Sequence, residues 1–331
     1  MKNTAVALLA LASLGLGVGR PRASSAAGRV NAPIERAAVG ALVPPVGPLA
    51  RHRRLKCPDP GPSWADADTT APPGTKYETF PSEVARTRVS YLLYLPPGYD
   101  ADPSRRYPVV YWLHGMCGHA WNGNGFVQQL DHAIRGRQAP AMIAVLVNGM
   151  ADSYYFDSPD GKWPIESVIV KDLVPYIDRT YRTIARREAR ALEGFSMGGF
   201  GAAHLGFKFP DVFGLVVIDA PAFNSLETFR QGLPEISAKM FGDSTYFYAN
   251  DPVRLVTRNA DRLRGRTHIR IAVGDQDGTE EAAHELHMVL RKLGIDHELE
   301  VVPGVAHDRQ RFYDTLGARS LAFYAHYLGA D

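Results

Sequence analysis

From residue 76 onward, short apolar runs alternate with longer stretches of helical character. The runs are 89–95, 107–113, 141–147, 190–193, 215–218, 269–273 and 298–302, and several stop at Gly or Pro. Most show no polar alternation, so a strand built from one has no solvent face and is buried on both sides. Between them, 126–134, 166–181, 197–208, 280–293 and 311–327 read as helices, the second kinked or broken at Pro175. Buried strands joined through helices give an α/β domain with a mostly parallel central sheet and helices on both faces. Residues 76–331 suffice for one such domain. The stretch 221–264 lacks a clean period and reads as an excursion between strands, available to a substrate site.

The first 75 residues are different. A positive start, an apolar run from Ala5 and small residues at 23–27 follow the order of a signal peptide over 1–27, although Arg20 and Arg22 are atypical for one. The run is too short to span a bilayer comfortably, and no Cys follows it at lipid-anchor spacing, so no stable membrane anchor is expected. Residues 28–75 are rich in Pro, Ala and Gly and read as a linker or irregular extension, with 51–54 a solvated basic patch. Export makes the expected location secreted or periplasmic. The 37 basic and 35 acidic residues leave a net charge of +2, which gives no electrostatic case for nucleic acid. Two cysteines exclude a disulfide-dense scaffold. In an oxidising compartment Cys57 and Cys117 can pair; two free thiols are the other reading.

Gly194-Phe195-Ser196-Met197-Gly198 is a G-x-S-x-G pattern. The pattern alone is weak, but here it follows a short strand and opens a helix rich in small residues, the context of a nucleophile elbow. A serine needs a base, and the base an orienting acid. Among the histidines after Ser196, only His307 falls just past the end of an apolar strand, where catalytic groups gather. For the acid, the loop after 269–273 offers Asp277, which is favoured, and Asp275; Asp219 is a third option. An oxyanion needs two aimed donors. The Met197 N–H supplies one, and the loop Leu113-His114-Gly115-Met116-Cys117-Gly118 supplies the other, the Met116 N–H. His114 reads as a structural loop histidine.

Further runs complete a set: Tyr94-Leu95-Pro96-Pro97-Gly98-Tyr99, the stretch 107–115, Tyr155-Phe156-Asp157-Ser158, the stretch 172–178 and Pro303-Gly304-Val305-Ala306-His307. Over about residues 76–331 the chain resembles the esterase-D-like family of α/β-hydrolases, which includes S-formylglutathione hydrolases, feruloyl and acetyl-xylan esterases and mycolyltransferases. The resemblance implies the α/β-hydrolase fold and carboxylic-ester chemistry without cofactor or metal. It places Ser196, Asp277 and His307 at the triad positions and Met116 and Met197 at the oxyanion positions. Asn148 stands where many members carry Asp, and Trp163 lies in a stretch that varies between subgroups. The expected partner is a small-molecule or polysaccharide-linked ester. Among loop aromatics, Trp121 and Tyr155 are the best candidates to touch it. Two other functions share these residues: acyl transfer to a sugar or lipid alcohol, and a degenerate secreted binding protein.

Overall fold

The apolar runs become neighbouring strands of one sheet. The computed structural model describes Cys57, residues 63–66 and residues 69–329, all within one compact unit that starts at residue 45. The strands are β1 (Thr75–Ser82), β2 (Thr87–Tyr94), β3 (Val109–Leu113), β4 (Ile143–Val147), β5 (Arg190–Phe195), β6 (Leu215–Asp219), β7 (His268–Gly274) and β8 (Glu298–Val302). Their order is β1-β2-β4-β3-β5-β6-β7-β8. β1 pairs antiparallel with β2, and β2 with β4; the remaining neighbours are parallel. Every residue of β3, β4, β5 and β6 is buried, so both faces of the sheet centre are covered.

β1 is absent from the expected runs. Its sequence carries Thr, Lys, Glu and Pro81, and it survives as an edge strand, where a missing donor is tolerated. Pro175 does not break the helix around it. The backbone stays helical over 165–180, and its irregularity is a π segment, Val168–Leu173, just before the proline. The expected helix 311–327 is instead two helices, Arg309–Leu316 and Arg319–Leu328, divided at Gly317 with φ 52°. The excursion 221–264 forms short helices between β6 and β7, and Phe229, Met240, Phe241 and Phe247 from it join the core.

The expected signal peptide, the basic run 51–54 and most of the 28–75 extension lie outside the described residues. The described pieces of the extension lie against the domain. Cys57 is disulfide-bonded to Cys117. Trp64 packs on the core. The Asn148 amide donates to the main-chain oxygens of Ser63 (3.0 Å) and Trp64 (3.2 Å) and to Ser90 Oγ (3.0 Å). An aspartate at 148 has no donor for these contacts, so the asparagine fastens the extension.

Candidate active site

Backbone strain collects at one end of the sheet. Non-glycine residues with positive φ follow β3 (Cys117, 57°), β4 (Met150, Tyr154 and Tyr155, 51–61°), β5 (Ser196, 62°) and β6 (Ala220, 42°). Such conformations cost on the order of 1–3 kcal/mol each and persist where the surroundings enforce them, commonly at functional sites.

Ser196 sits at the bend between β5 and helix Met197–Lys208 with ψ −116°. Its N–H donates to the Asp219 carbonyl (3.0 Å), and its carbonyl accepts from Phe200 and Ala222. The bend is possible because the glycines around it let backbones touch. A Cβ on Gly198 would lie 2.0 Å from the Leu113 oxygen, and one on Gly194 would lie 2.3 Å from the Gly198 oxygen. Any side chain there pushes the helix off β3 and moves the serine.

Ser196 Oγ is 2.8 Å from His307 Nε2. On the far side of the ring, His307 Nδ1 lies 2.8 and 2.9 Å from the two Asp277 carboxyl oxygens. Asp277 Oδ1 also accepts from the Thr279 N–H and hydroxyl, both at 2.8 Å. Burial pushes the Asp277 carboxyl up, but the His307 contact and the Thr279 donors outweigh it and hold it below its ordinary value. Nδ1 faces a carboxylate and so carries the proton, which leaves the Nε2 lone pair directed at the serine hydroxyl. The His307 ring rests on Phe195, centroids 5.0 Å apart. The structure thus brings the three sequence-derived residues into one hydrogen-bonded line.

The other candidates go elsewhere. Asp275 accepts from the Gly304 N–H (2.7 Å) and pins the histidine loop to the acid loop. Asp219 turns its carboxylate into the core, 3.1 Å from the Tyr313 hydroxyl. His204 is buried against Glu166, His268 stacks on Tyr327, and His287 bonds His297.

The loop after β3 lies against the elbow: a Cβ on Gly115 would be 3.5 Å from Ser196 Cβ, and Met116 is the next residue. Met197, at the first turn of the elbow helix, is fully buried. The loop is held from several sides. The Cys117 N–H donates to the Ala151 carbonyl (2.7 Å), and the Gly118 N–H to the Gly115 carbonyl. His114 is buried, with Nδ1 2.8 Å from the Gly115 oxygen and Nε2 accepting from the Gly149 N–H (3.3 Å). Burial pushes its pKa down to about 4. This neutral ring is a brace, as the sequence suggested.

Of the two aromatic candidates, Tyr155 is corrected. It is fully buried, its hydroxyl donates to the His114 carbonyl (2.9 Å), and its ring fills the space that side chains on Gly149 and Gly201 would occupy. It supports the loop and the elbow helix from within the core, with no exposed face to offer a ligand. Loop position in the sequence could not tell lining from core. Trp121 is half-buried; its indole N–H donates to the Thr70 carbonyl (2.7 Å), and its ring leans on Tyr77. Among the described residues no three His, Cys, Asp or Glu side chains are grouped to hold a metal ion, and no helix is long and apolar enough to cross a membrane.

Sheet, elbow and hydrogen-bonded line are those of an α/β-hydrolase. Residues 82–323 match the family described as "Putative esterase", and the chain belongs to that family. Over 145 residues it is 31% identical to an endo-1,4-beta-xylanase/feruloyl esterase of Xylanibacter ruminicola, a stretch covering 41% of this chain and 20% of that protein. Over 119 residues it is 30% identical to esterase Rv1288 of Mycobacterium tuberculosis, covering 35% and 25% respectively. The chain thus matches a quarter or less of the length of these curated relatives. Among solved structures, a ferulic acid esterase aligns with a TM-score of 0.66 and 26% identity over 76% of this chain and 98% of that one.

Proposed function

We propose that the protein is a secreted serine esterase that hydrolyses carboxylic esters of short-chain or aryl, feruloyl-type acids through an acyl-enzyme. The observation that carries the reading is the unbroken line from Ser196 Oγ through His307 to Asp277, with contacts of 2.8–2.9 Å.

In the proposed cycle, His307 Nε2 takes the Ser196 proton as Oγ attacks the ester carbonyl. The Met116 and Met197 N–H groups hold the oxyanion; one such donor is worth about 10²–10³-fold in rate. Asp277 stabilises the imidazolium that forms. His307 then protonates the departing alcohol, the acyl group stays on Ser196, and water delivered through the same histidine releases the acid. The N-terminal end of the elbow helix favours the negative charge.

The names of two relatives, a xylanase/feruloyl esterase and a ferulic acid esterase, support an aryl acyl group. Trp121 is the proposed aromatic contact. Residues 1–27 act as the signal peptide, 28–75 as an extension and 76–331 as the catalytic domain. The disulfide supports an oxidising destination. Hydrolysis rates over p-nitrophenyl esters from acetate to long chains, with methyl ferulate, test the reading. Turnover of acetate and methyl ferulate above long-chain esters is expected. A long-chain preference removes the substrate class, and no turnover of any ester removes the esterase reading.

A further inference from the structure

Beneath the elbow lies a buried polar cluster that the proposed cycle does not use. Glu193 stands on β5 three residues before Ser196, and Asp219 ends β6 alongside it. Both are about 1% exposed. Tyr313, from helix Arg309–Leu316, reaches between them: its hydroxyl oxygen is 3.0 Å from Glu193 Oε1 and 3.1 Å from Asp219 Oδ2. The same oxygen accepts from Trp112 Nε1 (3.1 Å). Tyr324, from helix Arg319–Leu328, donates to Glu193 Oε2.

The hydrogen count at Tyr313 does not close with two carboxylates. A phenol has one proton to donate and two lone pairs. One lone pair takes the Trp112 N–H. The proton can go to one carboxyl group, and the other then meets the phenol oxygen at 3.0–3.1 Å as acceptor against acceptor. A proton on one carboxyl resolves this, since the acid O–H donates to the remaining lone pair. Burial drives the Tyr313 and Tyr324 hydroxyls far up, so neither phenol gives up its own proton.

The charges say which carboxyl holds it. Asp219 Oδ1 lies 3.6 Å from Arg270 Nη1 on β7. Arg270 Nη2 bonds Glu300 on β8 (2.8 Å), and Glu300 bonds Arg319 (3.0 Å). Asp219, Arg270, Glu300 and Arg319 balance to zero, so an ionised Glu193 would add an unmatched buried charge. Burial raises both carboxyls; the Asp219 charge raises Glu193 further, whereas at Asp219 the Arg270 charge, which reaches Glu193 less strongly, is the largest influence opposing the rise.

We infer that Glu193 is a neutral carboxylic acid in the resting protein and a positioning residue for the nucleophile, its proton linking Glu193 to Tyr313 and Tyr313 to Asp219. The link reaches the site because Asp219 is the residue whose carbonyl receives the Ser196 N–H (3.0 Å). The role rests on Ser196 being the nucleophile; the protonation state does not.

Three full-length variants test it. In Glu193→Gln the amide reproduces a neutral acid, with N–H toward Tyr313 and oxygen toward Tyr324. Its kcat on p-nitrophenyl acetate should stay within about threefold of wild type, while Glu193→Ala and Asp219→Asn should lose roughly tenfold or more in kcat with little change in KM. Folded Glu193 keeps a proton that the unfolded chain releases above the ordinary carboxylate range, so the Glu193 contribution to stability falls as pH rises out of that range. Glu193→Gln should flatten that fall and should remove a protonated-carboxyl carbonyl band from the infrared spectrum at neutral pH. A Glu193→Gln protein that loses kcat like Asp219→Asn, or that leaves the infrared spectrum and the pH drift unchanged, overturns the proposal even where Glu193→Ala fails to fold. If fluorophosphonate leaves Ser196 unlabelled, the nucleophile reading fails, while the infrared and pH measurements still decide the proton.

Discussion

Breaking the Cys57–Cys117 bridge should cost the protein much of its stability and little of its fold. The bridge closes a loop with a sequence separation of 60. In the chain-entropy description, cross-linking a loop of that length removes about 14 cal/mol/K from the unfolded chain, or about 4 kcal/mol at 25 °C. That is a large part of the roughly 5–15 kcal/mol by which domains are stable. In a domain of this size each kcal/mol moves the unfolding midpoint by about 2–4 °C, so the midpoint should drop by roughly 8–16 °C. The remaining anchors do not depend on the bridge: Asn148 still holds Ser63 and Trp64, and the Cys117 N–H still meets Ala151. Activity well below the midpoint should therefore fall by less than about tenfold. The assay compares thermal unfolding and p-nitrophenyl acetate turnover of untreated protein with reduced and alkylated protein, and with a Cys57→Ala/Cys117→Ala double variant. A midpoint shift below about 2 °C would refute the reasoning, since the unfolded chain would then carry no such constraint.

Further outcomes separate the acid loop's two aspartates and locate an acid limit. Asp277→Asn removes the carboxylate that orients His307, and kcat should fall by about 10³–10⁴-fold. Asp275→Asn, whose wild-type side chain only holds the Gly304 N–H, should stay within about tenfold; steady-state kinetics on both variants checks the contrast. His114 must stay neutral to accept from Gly149, and its folded pKa lies below its unfolded one. Its contribution is therefore intact above the unfolded value near 6.5 and is lost as pH falls toward 4, by about 3 kcal/mol in all. Urea midpoints of Glu193→Gln, which lacks the opposing Glu193 titration, followed down that range check it; a midpoint that does not move in that variant contradicts the brace assigned to His114.

Much of this architecture is legible in the residues because the sheet centre is buried on both faces, and such strands must read as unbroken apolar runs. The elbow is legible for a related reason: only glycine allows the approaches at Gly194 and Gly198, so the bend leaves a mark. β1 leaves none, because an edge strand needs no apolar run and tolerates Pro81. The break at Gly317 is hidden in an otherwise helical pattern. Depth is not written in sequence at all: Tyr155 and Trp121 both sit in aromatic loops, yet one is core and the other partly open. The Glu193 cluster did leave a trace, a carboxylate inside a buried strand immediately before the elbow. Its partners come from Asp219, Arg270, Tyr313 and Tyr324, up to 131 positions away, and only folding assembles them.

Everything proposed for the reaction depends on Ser196 Oγ as the attacking atom. The direct measurement is p-nitrophenyl acetate hydrolysis by purified Ser196→Ala whose circular dichroism and unfolding midpoint match wild type. The account predicts a loss of at least about 10³-fold in kcat. Turnover close to wild type in that folded variant would contradict it.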